Sequence, residues 1–208
     1  MFRLTLLAAL LLPSLALADD QVRKFDTFYG INVKGPISVY VDVGKEQSVK
    51  VSGRKEYIDK VSTVVEGGVL RVVYENTNKA PVNVKEGDRI TVTVPALTSF
   101  RVLGAGESRV TNINGERIDI SFEGAGALYA SGKVKLLRMK GQGVGEANLK
   151  DLKAERADVN FTGMGDISLY ASDTLNLIVE GMGNFTYYGN PKHVNKSAKG
   201  IGNVKPGK

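Results

Sequence analysis

The side chains able to do chemistry in this 208-residue chain are few. There is one histidine, His193, set among the lysines near the C-terminus, and there is no cysteine. A histidine-based zinc site, a Cys–His pair and a disulfide are therefore excluded within one chain. Asp151, Glu155, Arg156 and Asp158 put acids and a base close together. No carboxylate pair set for glycoside hydrolysis can be picked out of them. No catalytic residue, cofactor or metal site is assigned. Two arrangements point instead to contact with a ligand. Tyr170 and Tyr188 recur at matching places in a repeat described below. Stacked outward, the two rings would form a platform for the face of a sugar, with Lys192, Lys196 and Lys199 at hand for an acidic group. The plainer reading makes the tyrosines ordinary sheet-surface residues and the lysines guards of a last exposed edge.

The elements that must position these residues are written in glycine. A Gly-x-Gly phrase returns six times, at Gly104, Gly124, Gly143, Gly163, Gly181 and Gly200, in steps of 20, 19, 20, 18 and 19 residues. A recurrence so steady marks a solenoid in which each repeat is one coil. Before the glycines, apolar and polar residues alternate, as in Ile118, Ile120, Phe122 or Ala157, Val159, Phe161. The same alternation places Thr98, Phe100 and Val102 inward. After the glycines come shorter inward pairs such as Leu128/Ala130 and Ile167/Leu169. Period two means strand, with one face buried. Each coil reads as strand, glycine bend, strand and a polar connection such as Asn112–Gly115, stacked about 4.8 Å from the next.

Glycine suits such a bend because it tolerates positive φ and close backbone approach. The residue between the glycines (Ala105, Ala125, Val144, Met164, Met182, Ile201) either plugs the corner or forms an outer apolar ridge. The plug is the expectation, since a long exposed ridge invites association. The residue after each pair is Glu107, Ala127, Glu146, Asp166, Asn184 or Asn203. Glu146 and Asp166 on adjacent coils could share a calcium ion, or simply accept hydrogen bonds from bend amides.

Residues 1–18 read as a cleaved secretory signal: Arg3, an apolar run from Leu4 to Leu12, then Ala16-Leu17-Ala18. The run is too short to cross a bilayer, and no other stretch is long enough. Losing Arg3 lowers the formal net charge of +6 by one. That mild basicity is either a solvated surface or an attraction to anionic envelope polymers. Nothing arginine-rich or basic–aromatic supports nucleic acid. The remaining 19–208 reads as one all-β domain, with irregular coils and a cap over 19–99 and regular Gly-x-Gly coils over 100–208. Strands are expected around Ile31–Val43, Val49–Val51, Val69–Tyr74 and Ile90–Val94, a helical turn at Lys55–Val61, and a mobile polar loop at Asn76–Asp88.

Several phrases together resemble one family. They are Phe28-x-x-Ile31-x-Val33-x-Gly35-x-Ile37-x-Val39-x-Val41, Glu66-Gly67-Gly68-x-Leu70-x-Val72, the strand ending at Pro95, and the Gly-x-Gly ladder. The chain is similar to the GIN-domain family, described as putative autotransporter adhesin heads. That resemblance implies a single-domain, right-handed, parallel β-helix-like solenoid at the bacterial cell surface or in the periplasm, with no catalytic residues to carry over. The expected function is an exported, non-catalytic binding or adhesion-like module, with an anionic glycan or another envelope component as partner. The alternatives are a polysaccharide lyase or hydrolase on a β-helix, and a self-associating structural protein of the envelope.

Overall fold

Among the described residues, alternating apolar residues between turn signals give nine strands and one short helix: β1 (Asp19–Arg23), β2 (Gly30–Pro36), β3 (Val39–Val43), β4 (Ser48–Gly53), α1 (Lys55–Lys60), β5 (Val61–Glu66), β6 (Val69–Tyr74), β7 (Arg89–Val94), β8 (Ser99–Tyr188) and β9 (His193–Pro206). The computed structural model describes residues 19–75 and 84–207. The expected signal segment 1–18 and most of the loop expected over 76–88 lie outside the described residues. The helical turn expected at Lys55–Val61 is α1.

The strands form one large open sheet in the order β1-β4-β7-β3-β8-β2-β6-β5, with β9 also on β8. Against the expected parallel β-helix-like solenoid with an irregular N-terminal region, the sheet as a whole is mixed. β2, β3, β6, β7, β8 and β9 pair in parallel, but β1–β4, β4–β7 and β5–β6 are antiparallel. The β5–β6 case has a local cause. Gly67 and Gly68 both take positive φ, 57° and 72°, the pair of values a two-residue hairpin turn needs.

β8 is a run of 90 residues that passes back over itself at every glycine phrase. A Cβ built on Gly124 would overlap the carbonyl oxygen of Gly104, and one on Gly143 that of Gly124; the overlaps continue through Gly163, Gly181 and Gly200. The second glycines stack likewise from Gly106 to Gly202. Each passage is one rung, in register with the last. Gly35 is the first member of the first column, since β2 pairs Gly35 with Gly104. Phe122 and Phe161 are buried and half-buried Val179 packs against the same core. Gly141, in line with them, leaves room for the Phe161 ring, which would lie 2.6 Å from a Cβ there.

The residue between the glycines faces outward, against the expected plug. Val144, Met164, Met182 and Ile201 are 43–74% exposed, and Ala105 and Ala125 are exposed too. The reason is parity: alternation runs unbroken through the bend, so both glycines take inward positions and their neighbour cannot. The connections also depart from expectation. Ile113, Val134, Leu152, Ala154 and Ala171 are all buried there, giving each rung a third inward side. Thr98, expected inward, is exposed, while Leu97 beside it is buried. β9 matches β8 residue for residue over Thr174–Tyr187. Its side chains are almost all exposed.

Candidate functional site

The register set by the glycines lines up outward side chains 18–20 residues apart. Tyr170 and Tyr188 do fall in one column, five residues beyond their second glycines. Neither ring is an open platform. Lys153 Nζ lies 4.4 Å from the Tyr170 centroid, Gly189 closes on the same ring, and Gly207 lies against Tyr188. Both tyrosines are half-buried. The three lysines, Lys192 just before β9 and Lys196 and Lys199 within it, answer different neighbours. Lys192 pairs with Asp173 at 3.3 Å and Lys199 with Glu180 at 3.7 Å, each one rung below. Lys196 is in register with Leu177, at an inward position, yet is exposed. Thr174 and Lys192 hold the Asp173 carboxyl below the usual carboxylate range.

Glu146 and Asp166 occupy one column but are used separately. Asp166 Oδ1 accepts from the Asn184 amide at 3.1 Å and from Asn184 Nδ2 at 2.9 Å. Glu146 Oε2 accepts from the Tyr129 hydroxyl at 3.4 Å. No cluster of three metal-ligating side chains occurs among the described residues.

The concave feature that alternation alone did not reveal lies on the outer face of the strand segments preceding the glycines. A groove of about 800 Å³ crosses six successive rungs there, bounded by Val69 at one end and Ile178 at the other. Two columns form it. Five residues before the glycines stand Ser99, Asp119, Arg138, Asp158 and Asn176; three residues before stand Asn32, Arg101, Ser121, Lys140, Asn160 and Ile178. The first column is cross-linked. Asp158 Oδ1 accepts from Arg156 Nε at 2.9 Å and from Asn176 Nδ2 at 2.7 Å, and Asn176 Oδ1 accepts from Asn195 at 2.9 Å. Arg117 forks onto Asp119 at 2.9 and 2.6 Å. Burial alone would push the Asp158 carboxyl up, but the bonds from Arg156 and Asn176 and the charges of Arg156 and Arg138 outweigh it and hold it low. An acid so held stays ionised, and is a poor proton donor near neutrality. Of the charged group 151–158, only Arg156 and Asp158 meet in the groove; Asp151 lies 3.9 Å from Lys153 and Glu155 is exposed. His193 is exposed, in register with Thr174.

The polar groove residues are each visible in the sequence as outward members of an alternating strand. Seeing that their columns add up to a groove requires the rung register, which sequence patterning supplies only by counting back from each glycine.

With this geometry in hand, comparison with known proteins is informative about lineage and fold. The family model described as "Putative auto-transporter adhesin, head GIN domain" matches residues 27–191. A crystal structure of a putative adhesin from Bacteroides fragilis is 21% identical with a TM-score of 0.72, covering 92% of this chain and 97% of its own. One of a putative lipid binding protein from Parabacteroides distasonis is 19% identical with a TM-score of 0.52, covering 93% and 98%. At these identities the likeness shows the fold alone. Comparison with curated proteins gives no match.

Proposed function

Because this chain belongs to the family described as putative auto-transporter adhesin, head GIN domain, we propose that it is an exported, non-catalytic, adhesion-like module of the bacterial cell envelope. The signal-like segment 1–18 supports export to the periplasm or the cell surface. Among the described residues no helix is long and apolar enough to cross a membrane. The stacked glycines support reading residues 100–208 as a β-solenoid, a form that presents long, rigid, repetitive surfaces to partners. The partner is an anionic glycan or another envelope component. The observation that carries the reading is the groove, where polar side chains are fixed rung to rung while its best-held acid, Asp158, is committed to Arg156 and Asn176. Rigid donors on a scaffold bind; they do not by themselves move protons.

The test is co-sedimentation of the purified protein with intact cells and with isolated envelopes, alongside fractionation of the producing cell. Saturable binding and a periplasmic or surface location are expected. Cleavage of polygalacturonate or another envelope glycan would overturn the non-catalytic reading, and confinement to the cytoplasm would overturn export. A second reading, self-association, is favoured by the outward ridge of Val144, Met164, Met182 and Ile201. Light scattering decides it: a strict monomer at high concentration removes it.

A further inference from the structure

The column three residues before the glycines has a property its neighbours lack: from Asn32 through Arg101, Ser121, Lys140, Asn160 and Ile178 to Ser197 it contains no carboxylate. The adjoining column alternates instead, Asp119, Arg138, Asp158, and both its acids are already answered by arginines. Arg101 gives one side of its guanidinium to Glu123 at 2.8 Å and remains half exposed. Lys140 makes no ion pair among the described residues. The acid-free column thus offers two cations two rungs apart, with a hydroxyl (Ser121) between them and an amide (Asn160) beyond. At about 4.8 Å per rung the cations are spaced by about 10 Å along the groove.

We propose that this groove binds an extended acidic polysaccharide lying along the stack of rungs, with its anionic group on every second sugar. This rests on the adhesion reading above and names its ligand class. A pyranose ring with its glycosidic oxygen is about as long as one rung is high. Alternate sugars therefore bring their carboxylates to Arg101 and Lys140, while the sugars between turn hydroxyls toward Ser121 and Asn160. Arg138, beside Lys140 on the same strand, widens the central positive spot. An acidic peptide does not fit this spacing, because same-face side chains of an extended strand recur at about 7 Å. Single-stranded nucleic acid does not fit either. The aromatic among the groove residues, Phe100, has its ring buried, so no base could stack.

The test is titration of the purified protein with hyaluronan oligosaccharides (a uronate on every second sugar), polygalacturonate (a uronate on every sugar) and neutral dextran. Hyaluronan should bind best, with affinity falling as salt rises. Lys140→Gln and Arg101→Gln should each weaken it by about 10-fold, while Lys205→Gln on the far edge leaves it unchanged. Both groove residues are exposed, so circular dichroism and melting of the variants should match the parent. Dextran binding as tightly as hyaluronan, polygalacturonate binding more tightly, or no loss in Lys140→Gln would each overturn the proposal. Co-sedimentation with envelopes separates the two readings. Envelope binding indifferent to Lys140→Gln and to excess hyaluronan defeats the groove assignment and leaves adhesion standing; absence of envelope binding by the unmodified protein defeats the adhesion reading and the groove proposal that rests on it.

Discussion

Between Asp19 and Val94 each strand is set by its own device, whereas from Ser99 to Pro206 one device is used over and over. In the first region a glycine hairpin turns β5 into β6, a short helix follows β4, and the buried carboxylate of Asp88 pins the start of α1. That carboxylate accepts from the Arg54 guanidinium at 2.7 Å, the Arg54 amide at 3.1 Å and the Lys85 amide at 3.0 Å. In the second region the same inward glycine, the same alternation and the same outward columns recur at each rung. The first kind of specification fails locally. The second cannot, because each rung is the floor of the next. β2 and β3 join the two, presenting Gly35 and Val39 in register to Gly104 and Ser108 as the first rung's template. Ile37 can stand where later rungs need glycine because β6, beyond β2, has ended at Tyr74.

The sharpest way to break this contrast is at the corner. In Gly165→Ala the new methyl would overlap the Gly145 carbonyl at a φ of 149°, and no side chain is there to give way. A loss of about 4 kcal/mol or more in chemical denaturation is expected, with failure to fold as its limit. Gly115→Ala, which meets nothing within 4 Å and needs no left-handed backbone, should stay within about 0.5 kcal/mol of the parent. Equal effects at the two sites would mean that the rungs are not stacked on their glycines. Next comes the third inward side of each rung. Leu152→Ala empties a fully buried site and should cost about 3 kcal/mol, while the exposed Lys133→Ala should cost almost nothing.

How much of this was legible in the sequence differs between the regions in the same way. The glycine period gave the rungs, and parity through Val102, Gly104, Gly106 and Ser108 would have put Ala105 outside without coordinates. Ile113, Leu152 and Ala171 escaped because one or two apolar residues in a polar connection make no period. β5 was hidden by its short Val61–Val65 pattern directly after a helix. Gly35 could not be seen as a corner, since its partner Gly104 is 69 residues away and only pairing makes it one. The charged columns were each visible, but their neighbours were not. A carboxylate's meaning depends on what the adjacent rungs bring beside it, and for Asp158 folding brings the Asn176 amide from one side and Arg138 from the other.

A smaller effect is expected at Asp88, where the first region concentrates its polar specification. Burial pushes its carboxyl up, but the Arg54 guanidinium and the two amides outweigh that and hold it below the usual range. A lowered folded value stabilises the fold fully above the unfolded carboxyl's value of about 4, and the gain is lost as pH falls through the folded value. Asp88→Asn should therefore cost about 2 kcal/mol at pH 7. Its urea midpoint should converge on the parent's as pH drops below 4. A constant gap across that range would place the stabilisation in packing rather than in charge.

Smallest of all, and opposite in sign, is Tyr57 on α1. Its ring is buried 5.8 Å from Tyr74, and its hydroxyl has no hydrogen-bond partner among the described residues. Burial and the nearby Asp88 charge push the phenol above its ordinary value, so it is neutral at pH 7. A buried hydroxyl without a partner is a cost that Phe would relieve. Tyr57→Phe should leave stability unchanged or raise it by about 1 kcal/mol, read from the denaturation midpoint. A clear loss would mean that the hydroxyl is answered after all, and that the irregular region is as tightly specified as the rungs. An unchanged or raised midpoint fits a region where an unanswered group has only local consequences. In the stack the same flaw, repeated at every rung, would multiply.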